Sequence, residues 1–339
     1  INNIMSFEFL ISKIQKNNFL LIGRAGVDIY PDPPGTKTEN ATKYVTHLGG
    51  SSANIGVQLN KFGGSCSLLT RVSNDALGKF VLNQLDYYGV KKHLVKLEEN
   101  ESRISFAIVE TRVNDHQSII YRHQASDLFL NESDIESANI ENYECILITG
   151  TSLAAEPSRS SVLYTLTKAK ENNIPVIMDI DYRPYTWESS IKAKEIYNLA
   201  AKNCSGIIGN DDEFAILSGN YSEGLNFAKK LSSNTDLVIY KMGAKGSISY
   251  ANNKEISKGV FPVKPLKPTG AGDAFLGSLI GALLKNYELE TALEIGSAAA
   301  AIVVTKVGCA PAMPNLEQIL EFMKINKINE GENNAHTTF

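Results

Sequence analysis

The chain has 339 residues, of which 43% are hydrophobic and 21% charged, and its 33 basic against 37 acidic residues leave a formal charge of -4. That length supports a sizeable buried core, and 25 Gly with 11 Pro exclude a collagenous or low-complexity disordered chain. A mildly acidic balance with no long Lys/Arg run lacks the footprint of a nucleic-acid binder, which leaves small molecules as the expected partners.

The opening stretch INNIMSFEFLISKIQKNN interrupts its apolar residues with Glu8, Lys13 and Lys16, so no export signal is expected there. Short, apolar, turn-bounded runs then predict strands at 19–23, 67–70, 145–149, 176–179, 206–209 and 237–241. Helical spacing fills the intervals at 52–62, 75–88, 159–172, 188–202 and 226–231. Strands apolar on both faces and alternating with helices imply an α/β fold, a mostly parallel sheet covered on both sides. Two longer Ala/Leu-rich helices, 271–284 and 288–305, are expected to pack deep against it.

Two stretches break the rhythm: 28–48, which carries PDPPG, and 103–122, where SFAIVETR and SIIYR read as a hairpin. Strands inserted there would lie over the carboxyl-end crevice of the sheet, where ligands of such sheets bind, and so predict a lid; a plain surface hairpin is the alternative. Residues 1–330 are read as one domain carrying this lid, and 331–339 as a polar tail. Apolar runs stop well short of the ~18 residues a membrane-spanning helix requires. Cys66, Cys145, Cys204 and Cys309 are far apart and form no CxxC pair, which suits buried thiols in a reducing cytoplasm rather than a zinc knuckle or disulfide framework.

The most informative chemistry lies in KPTGAGDAF at 267–275. Gly270, Ala271 and Gly272 leave the backbone nearly bare at a helix start, where unpaired N–H groups and the positive helix end suit a transferring phosphoryl group. Asp273 sits just inside this anion hole, placed to accept a proton from an attacking hydroxyl. The helix terminus should keep it ionised at neutral pH, a weak base acting where positioning and charge stabilisation matter most. A Gly-rich turn with an acidic residue at an ordinary helix start is the plain alternative. No Walker A loop is present, and GAGDAF at 270–275 lacks the third glycine of a dinucleotide fingerprint, which disfavours a dehydrogenase. Upstream, Gly49 and Gly50 open the helix of GGSSANIGVQLNKFGG, where small residues would let a ligand approach and Asn54 offers a donor and an acceptor to a polyol.

The pair GGSSANIGVQLNKFGG and TGAGDAFLG resembles the paired signatures of the ribokinase-like (PfkB) carbohydrate kinases, and the similarity runs over 19–317. The resemblance implies a ribokinase-like three-layer sandwich with a β-lid, ATP and Mg²⁺ as cofactors, and phosphorylation of a sugar hydroxyl with Asp273 as base. It leaves K⁺ open and brings in a homodimer through the lid. NDDE at 210–213 resembles the family's NxxE motif, with Asn210 and Glu213 organising Mg²⁺ and its waters; locally it reads equally as a capping box. KMGAKG at 241–246 resembles the nucleotide-site turn, with Lys241, Gly243 and Gly246 against the nucleotide.

Asp28 matches the family acid that grips substrate hydroxyls. Arg183, just beyond the strand at 176–179, and Arg122 on the expected lid offer guanidinium forks to a carboxylate, so a sugar acid is the expected acceptor. DIDYRPYTW and the YR string resemble the kinases of keto-deoxy sugar acids, with 5-dehydro-2-deoxygluconate and 2-dehydro-3-deoxygluconate as competing acceptors and neutral sugars such as fructose behind them. Lys267 and Pro268 depart from the acidic and hydroxyl residues common in the family. Arg24 belongs to the GRAGVDIYPDPPG string, but sequence alone supplies no contact for it.

Overall fold

The computed structural model describes residues 6–329; the polar tail assigned to 331–339 lies outside the described residues. Its strands in chain order are β1 (Phe19–Ile22), β2 (Gly26–Pro31), β3 (Tyr44–Gly49), β4 (Cys66–Ser73), β5 (Val95–Glu98), β6 (Phe106–Val109), β7 (Ser118–Tyr121), β8 (Cys145–Thr149), β9 (Val176–Asp179), β10 (Gly206–Asn210), β11 (Leu237–Lys241), β12 (Ser247–Ala251) and β13 (Lys254–Lys258). Nine of them form one sheet in the order β13-β12-β11-β10-β9-β8-β1-β4-β5. It is parallel from β5 to β11, and its antiparallel pairings are β11 with β12 and β12 with β13.

Alternate residues of the parallel strands feed opposite layers, which is why those strands read as continuous apolar runs. Phe19 and Leu21 join one core with the helices Ser51–Lys61, Ala271–Leu284 and Leu289–Val304. Leu20 and Ile22 join the other, with Ser158–Glu171 and Ser190–Ala201. The helix Ala271–Leu284 lies directly on Ser51–Lys61: a Cβ at Gly277 would come within 2.6 Å of the Gln58 side chain. That close approach brings Asn54 and Asp273 to the same end of the molecule.

β1 lies between β4 and β8, so the chain turns both ways along the sheet from this point and opens a crevice at the carboxyl ends. The two irregular segments meet above it: β3-β2-β6-β7 form a separate four-stranded sheet in which β2 and β6 pair in parallel. This is the expected lid, and β6 with β7 is the expected hairpin. The turn anticipated at 241–246 joins β11 to antiparallel β12. Among the described residues no helix is long and apolar enough to cross a membrane, and all four cysteines are buried and free.

Candidate active site

The glycine turn expected to form an anion hole lies where the helix Ala271–Leu284 begins. Gly270 is left-handed with φ +86°, a conformation that L side chains rarely adopt, and a Cβ there would come within 2.8 Å of Cys309 Sγ. At Gly272 a Cβ would meet only Lys241 Nζ, at 3.4 Å, so the turn is bare on the side facing the lysine that ends β11. Asp273 follows in the first helical turn and accepts a hydrogen bond from Asn54 Nδ2 at 2.9 Å. Asn54 Oδ1 is left buried without a partner, an acceptor aimed at a donor the protein does not supply.

The ionisation expected for Asp273 is reversed. Burial, reinforced by the negative Asp181 and Asp179, pushes its pKa up to about 8, and the Asn54 hydrogen bond and Arg183 only partly oppose this. The helix terminus is outweighed by two carboxylates from a different strand end, which spacing alone does not place beside residue 273. Asp179 is likewise raised, by burial and by Asp181. Asp181 goes the other way: burial works against its charge, but Arg183 and a hydrogen bond from Ser51 hold it low.

Asn210 and Glu213 form the capping box that was the local alternative. Asn210 Oδ1 accepts from the Glu213 amide at 2.8 Å, and Glu213 Oε2 accepts from the Asn210 amide at 2.7 Å. Glu213 Oε1 accepts from the Tyr182 amide at 3.2 Å, so both carboxylate oxygens face backbone donors. Burial and the neighbouring Asp179 raise the Glu213 pKa to about 7. Among the described residues no three His, Cys, Asp or Glu side chains make a metal cage. Asp179, Glu213 and Asp273 all have raised pKa values, and a hydrated divalent ion carried in by phosphates would favour their ionised forms. In the neighbouring turn Gly243 is open, but the room at Gly246 is closed by the Lys258 carbonyl, 2.0 Å from where its Cβ would lie. A glycine is therefore required at Gly246 by the close β12–β13 edge.

At the acceptor end Asp28 sits buried on lid strand β2, and the Tyr30 hydroxyl donates to it at 3.4 Å. Burial raises its pKa to about 6 against the pull of Arg24 and Lys267. A Cβ at Gly49 would come within 2.1 Å of the Asp28 carboxylate, and one at left-handed Gly50 within 2.3 Å of the Arg24 carbonyl. These glycines let Asp28 and Arg24 pack closely.

Between lid and sheet lies a small cleft lined by Arg24, Ser51, Arg122, Thr151, Asp181, Arg183 and Tyr185, among others. Arg122 is structural rather than free: Nε and Nη2 both bind Asp127 Oδ2, the first at 2.9 Å, and Nη1 donates to the Thr151 carbonyl at 2.8 Å. Its expected grip on substrate is corrected accordingly. Arg183 pairs with Asp181 at 2.6 Å while its side chain keeps 40% exposure, so one face of the fork remains open. Arg24 is buried, and among the described residues its guanidinium hydrogen-bonds Ser105 Oγ at 3.3 Å and has no carboxylate within ion-pair distance. It is the functional residue that sequence reading left without a role, although its position just past the end of β1 is the signal that had drawn attention to Arg183.

A bare amide turn beside one carboxylate, facing a cationic cleft under a lid, defines a small-molecule phosphotransferase of α/β architecture. Residues 16–316 match the pfkB family carbohydrate kinases, and the chain belongs to that family. A 5-dehydro-2-deoxygluconokinase of Photobacterium profundum is 35% identical over 311 residues, covering 90% of this chain and 94% of the relative. Among solved structures, a fructokinase double mutant from Vibrio cholerae with bound fructose, ADP and potassium is 25% identical, with a TM-score of 0.78 over 90% of this chain and 98% of that one. A putative ribokinase II from Escherichia coli in complex with ATP and Mg²⁺ shares the fold at a TM-score of 0.80 and 21% identity, over 91% of this chain and 99% of that one.

Proposed function

We propose that this protein is an ATP- and Mg²⁺-dependent kinase that phosphorylates the terminal hydroxyl of 5-dehydro-2-deoxy-D-gluconate, a step of inositol catabolism. The observation that carries the choice of an acid is Arg24, a buried guanidinium without a carboxylate partner, beside the open face of Arg183. A buried cation in ion-pair contact with no carboxylate among the described residues is costly, and a substrate carboxylate supplies a direct partner with fork geometry. The naming of the Photobacterium relative supports the same acceptor.

In the reaction the acceptor hydroxyl gives its proton to Asp273 as its oxygen bonds to the γ-phosphorus and the bond from that phosphorus to the bridging oxygen breaks, releasing ADP. The amides of Gly270, Ala271 and Gly272 receive the charge on the transferring group, and Lys241 flanks it. Asn54 steadies Asp273 and offers its unpartnered Oδ1 to a sugar hydroxyl, while Asp28 orients a second hydroxyl. Mg²⁺ neutralises phosphate charge and would offset the repulsion among Asp179, Glu213 and Asp273. The neighbours' bound ions support a divalent metal with ATP; potassium dependence is checked by comparing rates in potassium and tetramethylammonium chloride. We place the enzyme in the cytoplasm, where ATP and reduced thiols coexist, and a homodimer would use the lid, whose outer strands expose Tyr44, Val45, Ile119 and Tyr121.

A coupled ADP-release assay across 5-dehydro-2-deoxygluconate, 2-dehydro-3-deoxygluconate, fructose and ribose tests the proposal. The first should give the highest kcat/KM. A neutral sugar in first place would overturn the assignment of Arg24 and Arg183.

A further inference from the structure

Lys267 is fully buried, and the reaction as derived above makes no use of it. Lysine is almost never fully buried unless paired, yet no carboxylate stands within ion-pair distance of it among the described residues. Its ammonium donates to the Thr269 carbonyl at 2.6 Å and reaches Cys309 Sγ at 3.9 Å. Cys309 in turn meets the Tyr30 hydroxyl at 3.5 Å, and that hydroxyl donates to Asp28. The lysine therefore lies between the acid at the acceptor end and the underside of the glycine turn, nearer the turn.

Peptide planarity gives this contact a consequence. In a trans peptide the carbonyl and the following amide point in opposite directions. A Thr269 carbonyl held down by Lys267 turns the Gly270 N–H away from the ammonium. Cys309 lies against one side of Gly270, while the turn at Gly272 is bare toward Lys241. The ammonium also sets a positive charge behind the amides that acts on Asp28 but has no carboxylate in ion-pair contact among the described residues. Such a charge disfavours the empty protein and is offset when an anion arrives.

We propose that Lys267 is a positioning residue of the anion hole: through the Thr269 carbonyl it aims the Gly270 amide at the transferring phosphoryl group, and its buried charge favours that group there. This rests on the kinase reading above and adds a residue that never touches substrate. The competing role is a structural one, an ammonium that merely steadies Cys309 and Asp28.

The test is calorimetric titration of Lys267→Met with AMP-PNP, which carries a γ-phosphoryl group, and with ADP, which does not. The dissociation constant for AMP-PNP should rise about tenfold or more, equivalent to about 1.4 kcal/mol, while that for ADP stays within about twofold. In turnover, kcat should fall about tenfold with the acceptor KM within about twofold, and Lys267→Gln, which keeps an N–H donor for Thr269, should recover part of the loss. If Lys267→Met does not fold, Lys267→Gln is titrated instead, and its AMP-PNP dissociation constant should rise by about threefold or more while that for ADP stays within about twofold. Equal losses for both nucleotides, or an unchanged AMP-PNP affinity, would overturn the inference. Wild-type protein that turns over no acceptor would break the kinase reading itself, whereas wild-type turnover with unchanged variant affinities breaks the role of Lys267 alone.

Discussion

The two ends of the crevice are built from different materials. At the phosphoryl end the groups proposed to face the ligand are main-chain amides, and their placement depends on a left-handed Gly270 and a bare Gly272. At the acceptor end they are side chains: Arg24, Arg183 and Asp28, contributed by β-strand ends and the lid. A backbone site constrains residue type and so writes itself into a motif. A side-chain site does not, because a guanidinium that anchors a substrate and one that anchors a loop share the same letter.

Asp273→Asn acts where both ends meet and should have the largest effect. A turnover loss of about 10²–10⁴-fold is expected with nucleotide and acceptor binding retained, read in the coupled assay and by titration. The arginines test the side-chain end next. Arg122→Met leaves Asp127 buried and unpaired, so thermal denaturation should show a loss of about 3–5 kcal/mol. Arg24→Met removes a cation that has no acid partner; it should melt near wild type yet lose about tenfold or more in kcat/KM for the sugar acid and little for fructose. Should the two variants exchange phenotypes, the division between binding and structural arginines would be reversed.

The pH dependence is smaller and concerns Asp273 again. Its raised pKa means the carboxyl is protonated, and useless as a base, below about pH 8. The kcat/KM profile should therefore climb about tenfold per pH unit on the acid side and level off near that value. The same shift carries a stability cost. Folding disfavours the ionised form, so the penalty is absent below the unfolded carboxyl pKa and grows with pH until the folded value is passed. Asp273→Asn should melt on the order of 2–4 °C above wild type at neutral pH, and the advantage should vanish near pH 4.

This division also accounts for what was legible in the sequence. The parallel strands and the helix Ala271–Leu284 were readable because burial on both faces leaves an uninterrupted apolar run. β5, β12 and β13 were not expected: they lie toward the sheet's edges, and VKLE and KEISK mix charge into short strands. The glycine turn and Asp273 were legible as a motif, but the proton affinity of Asp273 depends on its burial and on Asp181 and Asp179, which only the fold brings near it. Arg122 was misjudged because Asp127, only five residues on, is its partner. Arg24 was passed over because its significance is the absence of any such partner.

The central claim is that a phosphoryl group crosses between the amides at 270–272 and a hydroxyl held beside Asp273. A crystal structure of the protein with AMP-PNP, Mg²⁺ and 5-dehydro-2-deoxygluconate tests it most directly. The account predicts γ-phosphate oxygens within about 3 Å of those amide nitrogens, the terminal hydroxyl within about 3 Å of an Asp273 oxygen, and the acid's carboxylate on Arg24 and Arg183. A γ-phosphate bound away from the start of this helix, or a hydroxyl remote from Asp273, would contradict it.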